Sequence, residues 1–429
     1  MAATGTNVHV GQIRSIVGDA NAREATENDA IDGVAPHFVA EPESVEDLSR
    51  LMSFASGEGL AIAPRGAGTK LSIGNPPSEL DLVVGTANLG GIIEYVPGDQ
   101  VVRVEAGISL EDLQERLESE DQMLGLDPPE KRAGATVGGI VATNSSGPRR
   151  LRYGTVRDLI IGITVVLPDG TVAKAGSKVV KNVAGYDLSK LFTGSVGSAG
   201  VIAQANFRLH PLPEAARTLA VEPGGTREAG EAAQAVMHSQ AEPSAMELHW
   251  SADGGTLTVL LEGIEAGVSA QSETVTELLS SFGEVRTLTS EEADALGPQE
   301  PPQVGGDEVV LKVSAYPAAL SEVLDLVLGA AQRGGLWPRI TGHAGSGVLF
   351  AGLSGGAEEA LVGAVEEVRG AVLRGYPGGS VVVHEAPLAV KQRVEAWGPA
   401  GDKGPLIRRV KERFDPGGTM NPGRFIGGL

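Results

Sequence analysis

The sequence predicts an α+β fold divided into two domains. The chain has 429 residues, which is too long for one ordinary hydrophobic core. Capped amphipathic segments alternate with short runs of β-branched residues, a pattern typical of helices mixed with strands. After His210-Pro211-Leu212-Pro213, loops rich in Gly, Thr and Asn give way to Ala- and Glu-rich sequence. This change indicates that a first domain spans residues 1–213 and that a second begins at residue 214.

The first domain opens with a well-bounded helix and a glycine-rich loop. Ser44-Val45-Glu46-Asp47 has the form of a capping box, and apolar residues follow it at helical spacing. A short apolar strand is expected at Leu60 to Ala63, directly before the loop. Further elements expected are strands at 81–84, 92–95 and 101–106, a helix capped by Ser109 with Asp112, and a hairpin in which 159–167 turns into 172–174.

The second domain repeats one pattern twice. From Leu219 to Pro387 the order is strand, helix, strand, strand, helix, strand, and then the same again. Asp253-Gly254-Gly255 is the hairpin turn signal of the first round, and Gly345-Ser346 takes its place in the second. We expect two ferredoxin-like halves that pair into one antiparallel sheet covered by helices.

Composition excludes several classes of function. Hydrophobic residues make up 41% and charged residues 21% of the chain, which is ordinary for a globular protein. The net charge of −21 argues against a nucleic-acid partner and is typical of a soluble surface. Cysteine is absent, which rules out disulfides, thiolate nucleophiles and cysteine-ligated iron–sulfur clusters within this chain.

The N-terminal region carries no pattern of a secretory signal. Residues Met1 to Ala20 show no basic segment followed by an apolar one, and no apolar run reaches 18 residues. We expect a soluble, cytoplasmic protein without direct membrane insertion, which joins a membrane only through partner subunits.

Two glycine-rich loops are candidate phosphate sites. The first, Pro64-Arg65-Gly66-Ala67-Gly68-Thr69-Lys70, is neither a P-loop nor a Rossmann fingerprint. Its glycines allow backbone N–H groups to turn onto a phosphate, but they also suit an ordinary tight turn. In the second, from Gly134 to Gly147, a helical turn beginning at Val137 would direct N–H groups at an anion. Its small residues also suit close helix packing. Together the two loops favour a pyrophosphate.

A third segment extends this pattern. Lys181-Asn182-Val183-Ala184-Gly185-Tyr186-Asp187-Leu188 precedes Gly194-Ser195-Val196-Gly197-Ser198-Ala199-Gly200-Val201-Ile202. The second stretch would let an extended backbone lie edge-on against a planar ring.

The three segments together resemble the vanillyl-alcohol-oxidase family, also called PCMH-type, whose FAD-binding domain holds FAD between two α+β subdomains. Gly-Pro-Arg-Arg at 147–150, Val-Arg-Asp at 156–158 and the segment 181–188 resemble the FAD-binding subunits of bacterial glycolate oxidases. The tail from Arg413-Phe414-Asp415-Pro416-Gly417-Gly418 to Asn421-Pro422-Gly423-Arg424 does so too. The resemblance implies a cap domain at 214–404 and a segment, 405–429, that returns to the FAD domain.

The resemblance also implies FAD contacts, residue by residue. Pyrophosphate and ribityl contacts are expected from the two loops, at Pro64, Arg65, Gly66, Ala67, Gly68, Thr69, Pro128, Gly134, Ala135, Thr136, Gly138 and Gly139. Flavin or adenine contacts are expected at Asn144, Gly147, Gly154, Gly200, Val201 and Ile202, with Asn421 as a further neighbour. Relatives that bind FAD covalently use a histidine or a cysteine, commonly a histidine near the first loop. Here Thr69 and Lys70 occupy that place, so we expect non-covalent FAD.

The substrate motif of related 2-hydroxyacid dehydrogenases is altered in this chain. Those enzymes carry His-Ala-Gly-Asp-Gly-Asn-x-His and a later Glu-His, which bind a metal and the substrate carboxylate. This chain keeps His343, replaces the Asp, the Asn and the second His by Ser346, Val348 and Phe350, and inverts the later element to His384-Glu385. Such a set is a poor divalent-metal site, so we expect no metal. His343 and His384 remain candidate catalytic residues, and a hydrogen-bonded buried histidine is the favoured interpretation of His343.

The resemblance implies an FAD-dependent oxidoreductase subunit that acts on a small 2-hydroxyacid, glycolate by resemblance. Its expected partners are a catalytic flavoprotein subunit and an iron–sulfur subunit that receives the electrons. The altered motif predicts that the chain alone oxidises such an acid inefficiently. Two alternatives stay open at this point: a stand-alone FAD oxidase or dehydrogenase of another hydroxyacid or sugar acid, and a flavin-free scaffold subunit.

Overall fold

The computed structural model describes residues 2–176, 187–296 and 307–429, which form three main sheets of four, five and eight strands and one two-stranded ladder. The expected segment 181–188 lies outside the described residues except for Asp187 and Leu188. None of the helices in the described ranges is long and apolar enough to cross a membrane.

The first subdomain is built on the four-stranded sheet, whose strand order is β1-β2-β4-β3. Its elements are α1 (Ala2–Val17), β1 (Ala22–Glu24), β2 (Phe38–Ala40), α2 (Val45–Gly57), β3 (Ile62–Arg65) and β4 (Leu82–Gly85). Strand β4 lies parallel to both β2 and β3. Because parallel strands end at the same edge of a sheet, the glycine-rich loop leaves β3 at a shared carboxyl edge.

Strand β3 begins two positions later than the sequence indicated. The amide of Leu60 donates to the carbonyl of Ala55 at 2.9 Å, so Leu60 still belongs to the exit of helix α2. Gly59 makes the turn with a φ of +69°, a conformation that glycine adopts without a steric cost. The strand therefore continues to Arg65 and delivers the loop directly.

The second subdomain carries the five-stranded antiparallel sheet, ordered β5-β6-β10-β8-β9. Its elements are β5 (Ile92–Val96), β6 (Val101–Glu105), α3 (Leu110–Glu118), β7 (Gln122–Met123), α4 (Val137–Thr143), α5 (Arg150–Tyr153), α6 (Val156–Leu159), β8 (Ile160–Val166), β9 (Val172–Gly176), α7 (Leu188–Phe192), β10 (Val201–Arg208) and β11 (His210–Pro211). The side chain of Ser109 caps α3 by accepting from the amide of Asp112 at 3.0 Å, as its sequence pattern predicts.

The eight-stranded sheet holds two rounds of the expected strand and helix pattern. Its elements are β12 (Ala215–Val221), α8 (Thr226–Met237), β13 (Ala245–Ser251), β14 (Gly254–Gly263), α9 (Glu265–Leu279), β15 (Arg286–Leu288), α10 (Ser290–Leu296), β16 (Val309–Ser314), α11 (Leu320–Gly334), β17 (Trp337–His343), β18 (Val348–Ser354), α12 (Glu358–Gly375) and β19 (Ser380–Glu385). The strand order is β15-β12-β14-β13-β17-β18-β16-β19. The two halves therefore join where β13 pairs with β17, and that register sets Glu247 opposite His343.

The chain returns to the first subdomain after α13 (Leu388–Lys391) and α14 (Gly404–Phe414). Met420 forms a parallel bridge with Ile62 and is fully buried in the core of that subdomain. The buried ammonium of Lys411 holds the return: it donates to the carbonyls of Ser198 and Met420, each at 2.7 Å, and pairs with Asp415 at 2.5 Å.

Candidate functional site

A cleft opens between the first and second subdomains where the three glycine-rich segments meet. The expected cofactor residues that line it are Pro64, Arg65, Gly66, Ala67, Gly68, Thr69, Ala135, Thr136, Gly138, Gly139, Gly200, Val201, Ile202 and Asn421. Four parts of the chain supply these residues: strand β3, the start of α4, the start of β10 and the C-terminal return. Segments distant in the sequence thus converge on one elongated cleft.

The first loop offers a row of backbone donors to the cleft. Within the described residues, the amides from Gly66 to Lys70 donate to no other group of the chain. A side chain at Gly66 would collide with the hydroxyl of Thr136, so the loop and the start of α4 approach closely only because this position is glycine. Unpaired amides on a loop in which Gly66 and Gly68 have no Cβ atom fit a pyrophosphate.

Helix α4 contributes a surface more than a set of donors. Its amides at Val137 and Gly138 already donate to the carbonyls of Ile108 at 2.9 Å and Ala106 at 2.7 Å. A Cβ at Gly138 would lie 2.8 Å from the Cβ of Ala106, whereas one at Gly139 would meet only the Thr136 hydroxyl, at 3.4 Å. Gly138 therefore serves packing against the end of β6, and Gly139 leaves room for a ligand.

The third segment forms the opposite wall. Val196 has a φ of +52°, an uncommon conformation for a β-branched residue. Its carbonyl accepts from the side-chain amide of Asn421 at 2.8 Å. The C-terminal return thus fixes the wall next to Gly197 and Gly200, both of which also have positive φ.

Five of the expected FAD residues lie away from the cleft lining. Pro128 lines a separate cavity between this domain and the eight-stranded sheet. Gly134 and Asn144 end short helices in the left-handed conformation. Gly147 packs against Asp127, and Gly154, with a φ of +84°, packs against Asp158. The structure gives these glycines a role in backbone geometry, and their contact with FAD stays a prediction.

A second pocket, of about 100 Å³, adjoins the cleft on the side of the eight-stranded sheet. It shares Lys70, Glu130, Thr143, Ser145 and Val196 with the cleft lining. Its other walls include Arg150, Lys312, Phe350, His384 and Trp397. A molecule in this pocket would therefore lie beside whatever occupies the cleft.

This pocket is positively charged. Arg150 donates to the backbone carbonyls of Ser146 and Gly147, and neither it nor Lys312 forms an ion pair with a carboxylate of the described chain. Lys70 is neutralised by Glu130 at 2.7 Å. Burial, and then repulsion from Arg150, lowers the pKa of Lys312 to about 8. Two cations without a counter-ion in a largely desolvated pocket favour an anionic ligand.

The two histidines stand on either side of one aromatic ring. The Phe350 ring lies 5.9 Å from the His343 ring and 5.3 Å from the His384 ring. Of the two, His384 lines the pocket. Burial, and then repulsion from Lys70 and Lys312, lowers its pKa well below the ordinary value, so the imidazole is neutral.

His343 is held by a carboxyl group on the neighbouring strand. Its Nδ1 lies 2.7 Å from Oε1 of Glu247, and both side chains are buried. Burial lowers the pKa of His343 to about 3 and raises that of Glu247 well above its usual value, so the pair is neutral. Among the described residues no group of three or more His, Cys, Asp or Glu side chains is arranged to hold a metal.

Sequence reasoning missed Lys312, Glu247 and the pocket role of Arg150. Arg150 stood in the Gly-Pro-Arg-Arg motif, and its pairing with a second arginine was a usable signal. Lys312 and Glu247 stand in strands β16 and β13, remote in sequence from both histidines. Only the strand register of the eight-stranded sheet brings them to the site.

Comparison with known proteins is consistent with this geometry. Residues 36–176 match the family described as "FAD binding domain". Glycolate oxidase subunit GlcD of Bacillus subtilis is 32% identical over 56% of this chain and 50% of its own length. Glycolate oxidase subunit GlcE of Escherichia coli is 37% identical over 36% of this chain and 44% of its own. A D-lactate dehydrogenase of Archaeoglobus fulgidus is 26% identical over 90% of this chain and 91% of its own.

The chain spans half or less of the length of the curated relatives that it matches first.

The structural similarity covers more of the chain than the sequence similarity does. Substrate-bound p-cresol methylhydroxylase superposes with a TM-score of 0.76 over 98% of this chain and 96% of its own, at 18% identity. The chain therefore has the PCMH-type FAD-binding fold and takes FAD as its cofactor.

Proposed function

We propose that this chain is the FAD-binding subunit of an oxidoreductase that oxidises a small 2-hydroxyacid such as glycolate. The observation that carries the proposal is the cationic pocket beside the FAD cleft. Arg150 and Lys312 are suited to bind the carboxylate of such an acid, because a guanidinium and an ammonium both donate charge-assisted hydrogen bonds. The pocket volume of about 100 Å³ suits a molecule of a few heavy atoms.

The mechanism assigns distinct tasks to the residues of the pocket. FAD, when bound, supplies the two-electron acceptor for the carbon that carries the hydroxyl group. Arg150 and Lys312 fix the carboxylate and so orient that carbon toward the cleft. Neutral His384 accepts the hydroxyl proton, because the bound carboxylate offsets the charge of the cations that lower the pKa of His384 in the empty pocket. His343, held by Glu247, supports the opposite face of the Phe350 ring and keeps His384 in place.

This proposal departs from what the altered histidine motif alone predicts. That motif lacks the Asp, Asn and second His of its relatives, and on that basis we expected inefficient oxidation by the isolated chain. The cations of the pocket come from helix α5 and strand β16 instead. They support substrate binding by this chain itself.

Electrons must leave the chain after the acid is oxidised. Because the sequence has no cysteine, a cysteine-ligated cluster that receives them belongs to another polypeptide. The similarity to GlcD and GlcE, which are named as subunits of glycolate oxidases, supports partner subunits, and we propose that these are a catalytic flavoprotein and an iron–sulfur protein.

Anaerobic flavin spectroscopy tests the proposal. We expect glycolate or D-lactate to bleach the flavin band of the purified chain near 450 nm, and oxalate to perturb the same band without bleaching. Lys312→Met should weaken both effects at least about tenfold, which is the loss expected on removing a charge-assisted bond. Lys174→Met, at an exposed position of strand β9, is the matched control.

The outcomes separate the alternatives. Oxalate binding without bleaching by any hydroxyacid would assign catalysis to another subunit and overturn the proposed oxidation by this chain. If a sugar acid bleaches the flavin in preference to glycolate, the alternative of a stand-alone FAD oxidase or dehydrogenase that acts on a sugar acid is favoured. Wild-type behaviour of Lys312→Met would show that the pocket has been misassigned.

A further inference from the structure

A second, larger groove lies on the outer side of the wall that bounds the FAD cleft. It has a volume of about 910 Å³ and lies between helices α7 and α14. Its floor is apolar, with Leu191, Leu406, Ile407, Val410 and Phe414 among the residues that line it. Leu406 is 58% exposed, which is unusual for a large apolar residue inside a continuous apolar patch.

The rim of this groove is basic although the chain as a whole is acidic. Arg157, Lys190 and Arg413 line it, and none of them pairs with a carboxylate of the described chain. Asp187 is the one carboxylate among the described residues that line the groove, and it caps helix α7, while nearby Asp158 accepts from the amide of Thr155. Glu412 is the exposed acid of helix α14, set against Arg408, Arg409 and Arg413 on the same helix.

The groove and the FAD cleft are separated by one loop. Gly194, Ser195, Ser198 and Ala199 face the groove. Val196, Gly197 and Gly200 of the same loop face the cleft. Electrons that leave the cleft through this wall cross a single layer of backbone.

Helix α14 is tied directly to that wall. Its Lys411 donates to the carbonyl of Ser198 and to that of Met420. The next residue, Asn421, lines the cleft and donates to the carbonyl of Val196. A partner seated on α14 would therefore stand at a fixed position relative to the cofactor.

We propose that this groove is the docking surface of an acidic one-electron carrier protein with an apolar centre to its contact patch. The proposal rests on the proposed function for the origin of the electrons. Charge complementarity selects the partner, because a basic rim on a protein of net charge −21 directs an acidic carrier to this face and repels it elsewhere. The apolar floor supplies the short-range contact.

The test uses plastocyanin, an acidic copper protein, as the probe. The FAD-loaded chain is reduced anaerobically with dithionite, which needs no substrate, and mixed with plastocyanin at low ionic strength. Two copper(II) ions each take one electron, so reoxidation of FAD and reduction of copper balance, and two protons pass to solvent. Zero-length carbodiimide coupling of the oxidised proteins, mapped by mass spectrometry, gives a second readout that does not depend on electron transfer.

We expect coupling at Lys190 and not at Lys174. Arg413→Glu and Leu406→Ser should slow copper reduction at least about tenfold at low salt, with the effect of the charge change shrinking as salt screens it. Arg374→Glu and Leu373→Ser are matched controls, since both positions are exposed on helix α12 of the other domain.

Equal rates for the groove variants and their controls would overturn the proposal. So would a change from dimer to monomer caused by Leu406→Ser, because the groove would then be an interface between copies of this chain. Since dithionite replaces the hydroxyacid, a failure of this test is distinct from a failure of the proposed substrate oxidation.

Discussion

At the scale of single residues, the site is defined by charges that the fold leaves without partners. Three other cations are paired with carboxylates: Lys391 with Asp32, Lys411 with Asp415 and Arg149 with Glu262. Lys312 and Arg150 differ, because they contact an aromatic ring and backbone carbonyls, while the carboxyl groups of Glu247 and Asp127 attract Arg150 only from beyond ion-pair distance. Desolvating a cation without a counter-ion is unfavourable, and a bound carboxylate would offset that cost.

The affinity of the pocket for a carboxylate should fall as the pH rises through about 8, because Lys312 loses its charge there. Its pKa is lowered to about 8 by burial and by Arg150, so the ammonium exists below that pH and is lost as pH rises through it. The dissociation constant for oxalate, followed by flavin absorbance, should increase above pH 8. Lys312→Arg should keep tight binding to higher pH, since a guanidinium stays charged. A limb that persists unchanged in Lys312→Arg would assign it to another group.

Glu247 should lower stability as the pH rises. Its folded-state pKa is raised well above the usual value by burial, so the stability that depends on its proton is present at low pH and is lost as pH rises through the folded pKa. Glu247→Gln keeps a hydrogen-bonding group for His343 but cannot ionise. We expect the melting temperature of the variant, relative to that of wild type, to increase as the pH rises from 5 to 9. Glu231→Gln, at an exposed position of helix α8, is the control, and parallel profiles for all three proteins would contradict the assignment.

At the scale of elements, the cleft depends on how closely helix α4 and the first loop approach each other. Gly66 permits that approach, Gly138 seats α4 on the end of strand β6, and Gly139 keeps the ligand side open. Adjacent glycines thus serve different purposes.

Gly139→Val should abolish FAD binding and leave the fold intact. The added methyl groups would enter the open side of the cleft, where a Cβ meets only the Thr136 hydroxyl at 3.4 Å. Loss of the flavin bands with an unchanged circular dichroism spectrum is the expected result. Gly363→Val, at an open position of helix α12, makes the same change in helix propensity and should keep FAD. Gly138→Val should instead lower thermal stability, because it overlaps Ala106. Normal FAD content in Gly139→Val would show that FAD does not lie next to this face of helix α4.

Local patterns predicted most elements, and long-range pairing explains what they missed. Ser44 and Ser109 cap helices where their sequence motifs place them, and the doubled pattern of the second domain follows from local turn signals. The meeting of Glu247 with His343 and the placement of Lys312 depend on strand order, which no local pattern encodes. Likewise, a glycine needed for packing and one needed for a ligand look alike in sequence, so local patterns alone do not separate these two roles at Gly147 and Gly154.

At the scale of the whole molecule, FAD should be held without a covalent bond. Among the described residues, those that line the cleft include no histidine, and the sequence has no cysteine. Acid precipitation should leave the yellow colour in the supernatant and a colourless pellet. Flavin that stays with the denatured chain would refute this expectation.

The cap and FAD domains should unfold together because a buried ion pair joins them. Lys391, whose side chain is fully buried, donates to both carboxylate oxygens of Asp32 at 3.0 and 2.9 Å and to the carbonyl of Ser72. Asp32→Asn leaves that ammonium without its counter-ion, which typically costs about 3–5 kcal/mol. We expect one cooperative thermal transition in wild type, and in the variant either one transition at a lower temperature or two separate transitions.

Lys391→Met combined with Asp32→Asn removes the uncompensated charge and should recover most of the lost stability. Arg393→Met, at a partly exposed ion pair on the same stretch of chain, should change the melting temperature little. If Asp32→Asn alone behaves like Arg393→Met, then the contact between the domains does not depend on this pair, and the position of the pocket relative to the cleft must be set by the apolar packing around it.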